Sequence, residues 1–308
     1  MIDQACLASL DGLLWLRTGH NVASKFNQHQ TTVSRNSRKC AHVFDISLER
    51  INAEWHVIGN QNLLNLERRV HQHVRFSGDD NNLLRLDAQH WSGPLLCTPP
   101  PAGWIAGNLN FLEYHRPLQL LKERIIDAWV ASYPDVPEDN PELTAIRLSK
   151  MPMYLVVKAG HPLLELGNAL TFAAVARYPL LPLPDNAFPK FQQVLIDCGL
   201  STHASTSACQ TKTIASSQVT IEDLVVGFAS PLSLPLYGDS FRILPLRLPI
   251  EVGDAVVVRR EFAQFDQIQR LSDFLRNRLS ALASTRAELC VLDGNLAETT
   301  TNEIAELV

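Results

Sequence analysis

Along the first third of the chain, apolar residues recur at helical spacing, and beyond it they collect into short runs separated by polar stretches. Leu7, Leu10, Leu13, Leu14 and Leu16, with Trp15, form one helical stripe that ends near Gly19. Asn21 is placed to cap a second short helix, VASKFNQ, whose Val22, Ala23 and Phe26 are spaced to face inward. A third, TTVSRNSRKCAHVF, offers Val33, Cys40, Val43 and Phe44 to a core. LERINAEWHVI (48–58) predicts a small hairpin. From Gln61 to about Phe76, NLLNLERRVHQHVRF puts Leu63, Leu64, Leu66, Val70 and Val74 at helical spacing. That is more apolar surface than a small domain should leave exposed, so a coiled-coil-like contact with a second copy is predicted. SGDDNN (77–82) breaks the helix and reads as a linker.

The pattern then changes. LLRLDA (83–88), NLNFLEYH (108–115), DAWVAS (127–132), YLVV (154–157), YPLLPL (178–183), DLVVGFA (223–229) and DAVVVRR (254–260) read as strands. PLQLLKERII (117–126), FPKFQQVLIDCG (188–199) and FDQIQRLSDFLRNRLSAL (265–282) read as helices. Such alternation predicts a largely parallel sheet covered by helices, and its extent favours two α/β lobes. The last residues, 287–308, carry five acids and no Lys or Arg, and predict a mobile extension.

Composition narrows the class. With 308 residues, 46% hydrophobic and 19% charged, the chain has apolar material for real cores. It lacks the ~18 uninterrupted apolar residues of a membrane helix, and its first twenty residues lack the features of a signal peptide. A cytoplasmic protein without a membrane partner is expected. The six cysteines show no ligand spacing and read as reduced thiols, so no metal site is expected. The net charge of −5 speaks against nucleic acid until it is divided. Residues 1–78 hold 9 Lys/Arg against 6 acids, and the remainder 18 against 26. The N-terminal part is therefore basic and the rest acidic, a distribution that hints at a nucleic-acid-binding segment.

A short helix, a tight connection and a second helix with polar, basic outer positions make a helix-turn-helix pattern. His29, Gln30, Thr31, Thr32 and Ser34 supply groups that can meet base edges, and Arg35, Arg38 and Lys39 supply phosphate contacts. The spacing alone serves an ordinary solvated helix face equally well. No G-x-S-x-G, H-E-x-x-H, P-loop or G-x-G-x-x-G occurs, and no nucleophile stands beside an obvious base. No catalytic residue and no cofactor are expected.

Segment 22–35, VASKFNQHQTTVSR, resembles the helix-turn-helix of the LysR-type transcriptional regulators, whose usual pattern is A-A-x-x-L-x-x-S-Q-P-A-L-S-R. Ala23, Phe26, Gln30, Val33, Ser34 and Arg35 sit at matching positions; Val22, His29, Thr31 and Thr32 depart from it. LLNLERRVHQ is similar to the family's linker helix. The wing matches poorly, with Asn60 where Gly is usual and a hairpin about two residues short. LLRLDAQHW, LEYHRPLQLLKERIIDAWVAS, LVVKAGHPL, LTFAAVARYPLLPL and IEDLVVGFASPLSL resemble successive parts of the family's effector domain, in order.

This resemblance implies a multidomain fold. Residues 1–59 would form a winged helix-turn-helix and 60–82 a dimerising linker helix and hinge. A two-lobed, periplasmic-binding-protein-like α/β effector domain would follow at 83–286, with lobe I about 83–158 and 254–283 and lobe II about 161–253. It implies a regulator that binds a double-stranded DNA operator, senses a small-molecule effector between the lobes, and forms homodimers or tetramers. RNA polymerase is a further partner it allows. In such folds ligands sit beyond the carboxyl ends of strands, beside helix N-termini. That rule selects Gln89, His90, Trp91 and Ser92 after one strand, Tyr114, His115 and Arg116 after another, and Pro182, Pro184 and Asn186 in the second lobe. The set mixes aromatic surface, neutral hydrogen-bonding groups and one cation, Arg116. Core positions for Trp91 and Tyr114 and a surface position for Arg116 fit the same residues. The competing class is a cytoplasmic small-molecule-binding or scaffold protein of the same two-lobed fold without specific DNA binding.

Overall fold

The computed structural model describes residues 2–77, 83–112, 114–183, 187–200 and 221–293. It opens with three helices, α1 (Gln4–Leu16), α2 (Gly19–Lys25) and α3 (Gln30–Val43). Asp3 caps α1 by accepting from Ala5 N, and Arg17 ends it in the left-handed region. Thr18, rather than Asn21, caps α2, its hydroxyl accepting from Asn21 N at 3.2 Å. The helix therefore starts three residues earlier than expected. On α3, Val33, Ser37 and Cys40 are buried, while Val43 is exposed. An antiparallel hairpin follows, β1 (Ser47–Ile51) and β2 (Glu54–Ile58), then α4 (Asn62–Phe76).

The remaining chain runs β3 (Leu84–Ala88), α5 (Gly93–Leu96), β4 (Trp104–Ala106), α6 (His115–Lys122), β5 (Ala128–Tyr133), β6 (Leu143–Arg147) and β7 (Ser149–Lys158). It continues through α7 (Phe172–Val175), α8 (Pro189–Asp197), β8 (Gly227–Ala229), β9 (Phe241–Arg259), α9 (Asp266–Ala283) and β10 (Cys290–Val291). One eight-stranded sheet results, in the order β10-β7-β9-β5-β3-β4, with β6 also on β9 and β8 on β7. Among the described strands only the β3–β4 and β3–β5 pairs are parallel. The expectation of a largely parallel sheet is thus corrected to a mixed one, because β7 and β9 are long antiparallel strands that run through both lobes. Two expected strands do not form: residues 108–115 and 178–183 contribute only single bridges, at Phe111 and Leu180. The expected extension at 287–308 begins instead as β10, paired with β7; residues 294–308 lie outside the described part.

Among the described residues, three large cores hold these layers. One face of the lobe I sheet is covered by α9, through Ile268, Leu271, Leu275 and Leu279. A separate core in lobe II joins the outer halves of β7 and β9 to α8, through Phe191 and Leu195. The other face of lobe I, with Ile125, Trp129, Ala131 and Val257, shares a continuous core with Leu7, Leu10, Leu14 and Trp15 of α1. The N-terminal helices are thus packed onto lobe I instead of standing apart from it. No described helix is long and apolar enough to cross a membrane.

Candidate functional site

Between the lobes lies a cavity of about 470 Å³, within the range of small-molecule sites. The turn after β3 supplies His90 and Trp91, the end of β5 supplies Ser132 and Tyr133, and the crossing strands supply Met151, Met153 and Asp254. Lobe II closes it with Leu181, Pro182, Leu183, Phe188 and Phe228. Trp91 is fixed by an Nε1 hydrogen bond to Ser132 Oγ at 2.8 Å, and its ring lies 5.6 Å from that of Phe188. One aromatic from each lobe therefore meets across the cavity.

Two carboxylates face this space. Asp254 is buried where β9 crosses β7, and its Oδ2 accepts from Ser149 Oγ at 3.0 Å. Burial pushes its carboxyl up to about 6, while the hydrogen bond from Ser149 acts in the opposite sense. Gly253 beside it is demanded by close approach, since a Cβ there would stand 2.0 Å from Ser149 O. Asp135 follows β5 and reaches into lobe II. It accepts from the backbone N–H groups of Lys190 (2.7 Å) and Phe191 (3.2 Å), which open α8. Burial raises its pKa and those N–H groups oppose the rise.

Of the residues selected from the sequence, the structure brings together His90, Trp91 and Pro182 on the cavity wall. Gln89 and Ser92 are buried off the wall. Tyr114 packs edge-on against Trp129, with 5.9 Å between ring centroids, and His115 begins α6. Neither lines the cavity. Arg116 is turned away altogether. Its Nη2 donates to Leu14 O at 2.7 Å and its Nε lies 3.4 Å from Glu54, so it joins α1 and the hairpin to lobe I. Pro184 and Asn186 lie outside the described residues. Asp135, Asp254 and Ser132 were missed. The spacing rule looked at strand ends within each lobe, whereas these residues matter because the lobes meet.

The seam between the N-terminal helices and lobe I is as highly organised as the cavity. Trp15 Nε1 donates to Asp87 Oδ2 at 2.5 Å, and Asp87 Oδ1 accepts from Ala88 N and Leu109 N. Asp11 accepts from Arg68 Nε (2.9 Å) and Arg85 Nη1 (3.3 Å), tying α1, α4 and β3 together. Burial, with Arg75 nearby, lowers the Arg85 pKa to about 10, so the guanidinium remains charged near neutrality. Asp127 accepts from Arg75 Nε and Nη2, both at 2.8 Å, and from Gln72 Nε2 at 3.0 Å. The helix α4 is therefore bolted to α1 and lobe I along one side.

Its opposite side is bare: Leu63, Leu66, Val70 and Val74 are all exposed, Leu63 at 65%. On α3, Gln30, Thr31, Ser34, Arg35, Arg38 and Lys39 are exposed, His29 precedes the helix in the open, and Thr32 is half-buried. Among the described residues no cluster of His, Cys, Asp or Glu could hold a metal ion.

The model of the LysR substrate binding domain matches residues 108–280, more than half of the chain. The chain belongs to the LysR family. Its members are regulators rather than enzymes. The fold agrees across nearly the full length of two solved structures. A full-length OxyR variant from Pseudomonas aeruginosa is 16% identical, with a TM-score of 0.54 and coverage of 90% of this chain and 95% of that one. A probable transcriptional regulator from Pseudomonas aeruginosa is 12% identical, with a TM-score of 0.52 and coverage of 90% and 97%. No curated protein matches this LysR-family chain by sequence. The two-lobed effector domain is the part to which the cavity belongs.

Proposed function

We propose that this LysR-family chain is a transcriptional regulator that binds operator DNA through residues 1–59 and is modulated by a small molecule between its lobes. Residues 1–59 would act as a winged helix-turn-helix and 60–82 as the dimerising linker, ahead of the effector domain at 83–286. The observation that carries this reading is the face of α3. Val33, Ser37 and Cys40 point inward, so Gln30, Thr31, Ser34 and Arg35 are left together on the outside near the helix N-terminus. That is where a recognition helix meets base edges, with Arg38 and Lys39 further along for phosphates. His29 and Thr32 flank the same turn. The stripe Leu63, Leu66, Val70 and Val74, at spacings of three and four, supports a second copy packing along α4. Dimerisation would pair two recognition helices, which suits a partly palindromic operator. A ligand acts in this scheme only through its differential affinity for two arrangements of lobes or subunits.

The test is a titration of selected duplexes at several salt concentrations. Arg35→Ala is expected to weaken binding to every duplex and reduce the salt slope by about 1. Gln30→Ala is expected to relax sequence choice at one position, with a loss of about 1–3 kcal/mol of discrimination. Unchanged affinity and specificity in both variants would remove α3 from the DNA interface.

A further inference from the structure

The charge around the cavity says what chemistry it accepts. Among the described residues of its wall there is no Lys or Arg; the titratable groups are His90, Tyr133, Tyr237 and the carboxyls of Asp135 and Asp254. Besides the hydroxyls of Ser132, Ser230 and Ser233, the rest of the wall is apolar, with Trp91 and Phe188 facing each other across it. A helix N-terminus is where an α/β protein most readily takes an anion, and the one that lobe II brings to the cavity, at the start of α8, is already filled. The free N–H groups of Lys190 and Phe191 at the start of α8 are occupied by the carboxylate of Asp135, brought from the other lobe. The Lys190 ammonium is held by Glu138. Arg116, the cation the sequence offered to the cleft, is committed to Leu14 and Glu54 in the seam. An incoming carboxylate would be dehydrated against two carboxyls with no described cation to meet it. An ammonium or hydroxyl donor would find acceptors in Asp254 and Asp135 and an aromatic wall that favours cations.

We propose that the cavity selects apolar molecules of aromatic size whose polar end is a hydrogen-bond donor, an amine above all, and rejects carboxylates. This selectivity rests on the reading of the cavity as the effector site.

Three probes with one ring system and different charge test it: tryptamine, indole and indole-3-acetate, titrated by calorimetry into the full-length protein at pH 7.5. Tryptamine is expected to bind at least tenfold more tightly than indole-3-acetate, with indole between them. Asp254→Asn is expected to narrow that gap to threefold or less while indole binding stays within twofold. Leu181→Arg, on the partly open rim, is expected to raise indole-3-acetate affinity and lower that of tryptamine, and it tests the same point should the Asp254 variant fail to fold. Indole-3-acetate binding as tightly as tryptamine, or no binding by any of the three, overturns the proposal. Operator affinity measured on the same samples separates the two claims. Tryptamine that binds but leaves operator affinity unchanged supports the selectivity and removes the effector role. Indole-3-acetate that alone alters operator affinity overturns the selectivity and leaves the effector role standing.

Discussion

The sheet of lobe I is bounded by two buried surfaces of opposite electrostatic design. At the seam with α1 and α4, three aspartates are met by arginines or an indole: Asp11 by Arg68 and Arg85, Asp127 by Arg75, and Asp87 by Trp15. At the cavity, Asp254 has a serine hydroxyl and Asp135 the backbone N–H groups of a helix. Among the described residues, the buried Arg68, Arg75, Arg85 and Arg116 hold the N-terminal helices and α4 to lobe I, and the cavity wall is left with carboxyls and no cation. The difference teaches that a cation close in sequence to a cleft need not serve it. The seam also carries a cost. Arg68 Nη2, Arg85 Nε, Trp129 Nε1 and both amide atoms of Gln89 are buried without partners on that side of the sheet. Its net stability is therefore the balance of strong pairs and orphaned donors.

The largest expected effect comes from breaking the strongest pair at the seam. Asp127→Ala leaves the Arg75 guanidinium, which makes two hydrogen bonds to that carboxylate, uncompensated in the interior. Removing one partner of such a pair costs about 3–5 kcal/mol. Asp254→Asn removes a carboxylate that burial already disfavours when ionised and that accepts from the Ser149 hydroxyl, and should cost no more than about 1 kcal/mol. Urea unfolding of the two variants side by side measures the contrast, and equal losses would show that the two boundaries are not differently built.

A smaller effect distinguishes the seam's own carboxylates by pH. Burial raises the Asp87 carboxyl to about 6 despite the hydrogen bonds from Trp15, Ala88 and Leu109, whereas an unfolded Asp titrates near 3.9. Between those values the folded state binds more protons than the unfolded state, so this group's contribution to stability falls as pH rises from about 4 to about 6. Above that window it is constant. Asp87→Asn lacks the titration. Its stability relative to wild type should therefore climb by on the order of 2–3 kcal/mol across the window and level off near neutrality. Urea midpoints of both proteins at intervals between pH 4 and 7 give the curve. A constant difference between them would mean that Asp87 titrates normally.

What the sequence disclosed follows from how local each signal is. The stripe of α1, the hairpin and the length of α4 were legible because each depends on residues within one or two turns. The polar outer face of α3 was legible for the same reason. The mixed sheet was not, since residues 151–158 of β7 pair with residues 241–252 of β9, some eighty to a hundred positions away, and no short window shows this. Leu63, Leu64, Leu66, Val70 and Val74 on α4 read as one stripe, yet only Leu64 of them is buried, while Arg68, His71, Gln72, Arg75 and Phe76 occupy the inner side. Period alone identifies an amphipathic helix but not which side meets the protein when a charged side is bonded to buried aspartates. At the cavity, His90 and Trp91 were found from the end of β3, and Pro182 from a segment that makes only a single bridge. Arg116 misled because its partners, Leu14 and Glu54, lie far away in the chain.

The seam's tightest approach gives the finest test of whether it is a fitted surface or a loose one. Gly107 sits where an added Cβ would stand 2.1 Å from Asp87 Oδ2 and 2.7 Å from Trp15 Nε1. Its lack of a side chain is what allows the indole of α1 to reach a carboxyl on β3. Gly107→Ala must push one of these groups aside. Both are side-chain atoms, so the cost belongs low in the range for overpacking, about 1–2 kcal/mol. The displaced indole should also change its fluorescence, because Trp15 would lose the hydrogen bond to Asp87. In a Trp15→Phe background the same substitution should cost less, since the indole N–H is gone and the smaller ring leaves room beside the glycine. A cost that is the same in both backgrounds would show that the seam yields elsewhere. The contact between α1 and lobe I would then be less exact than the seam's hydrogen bonds suggest.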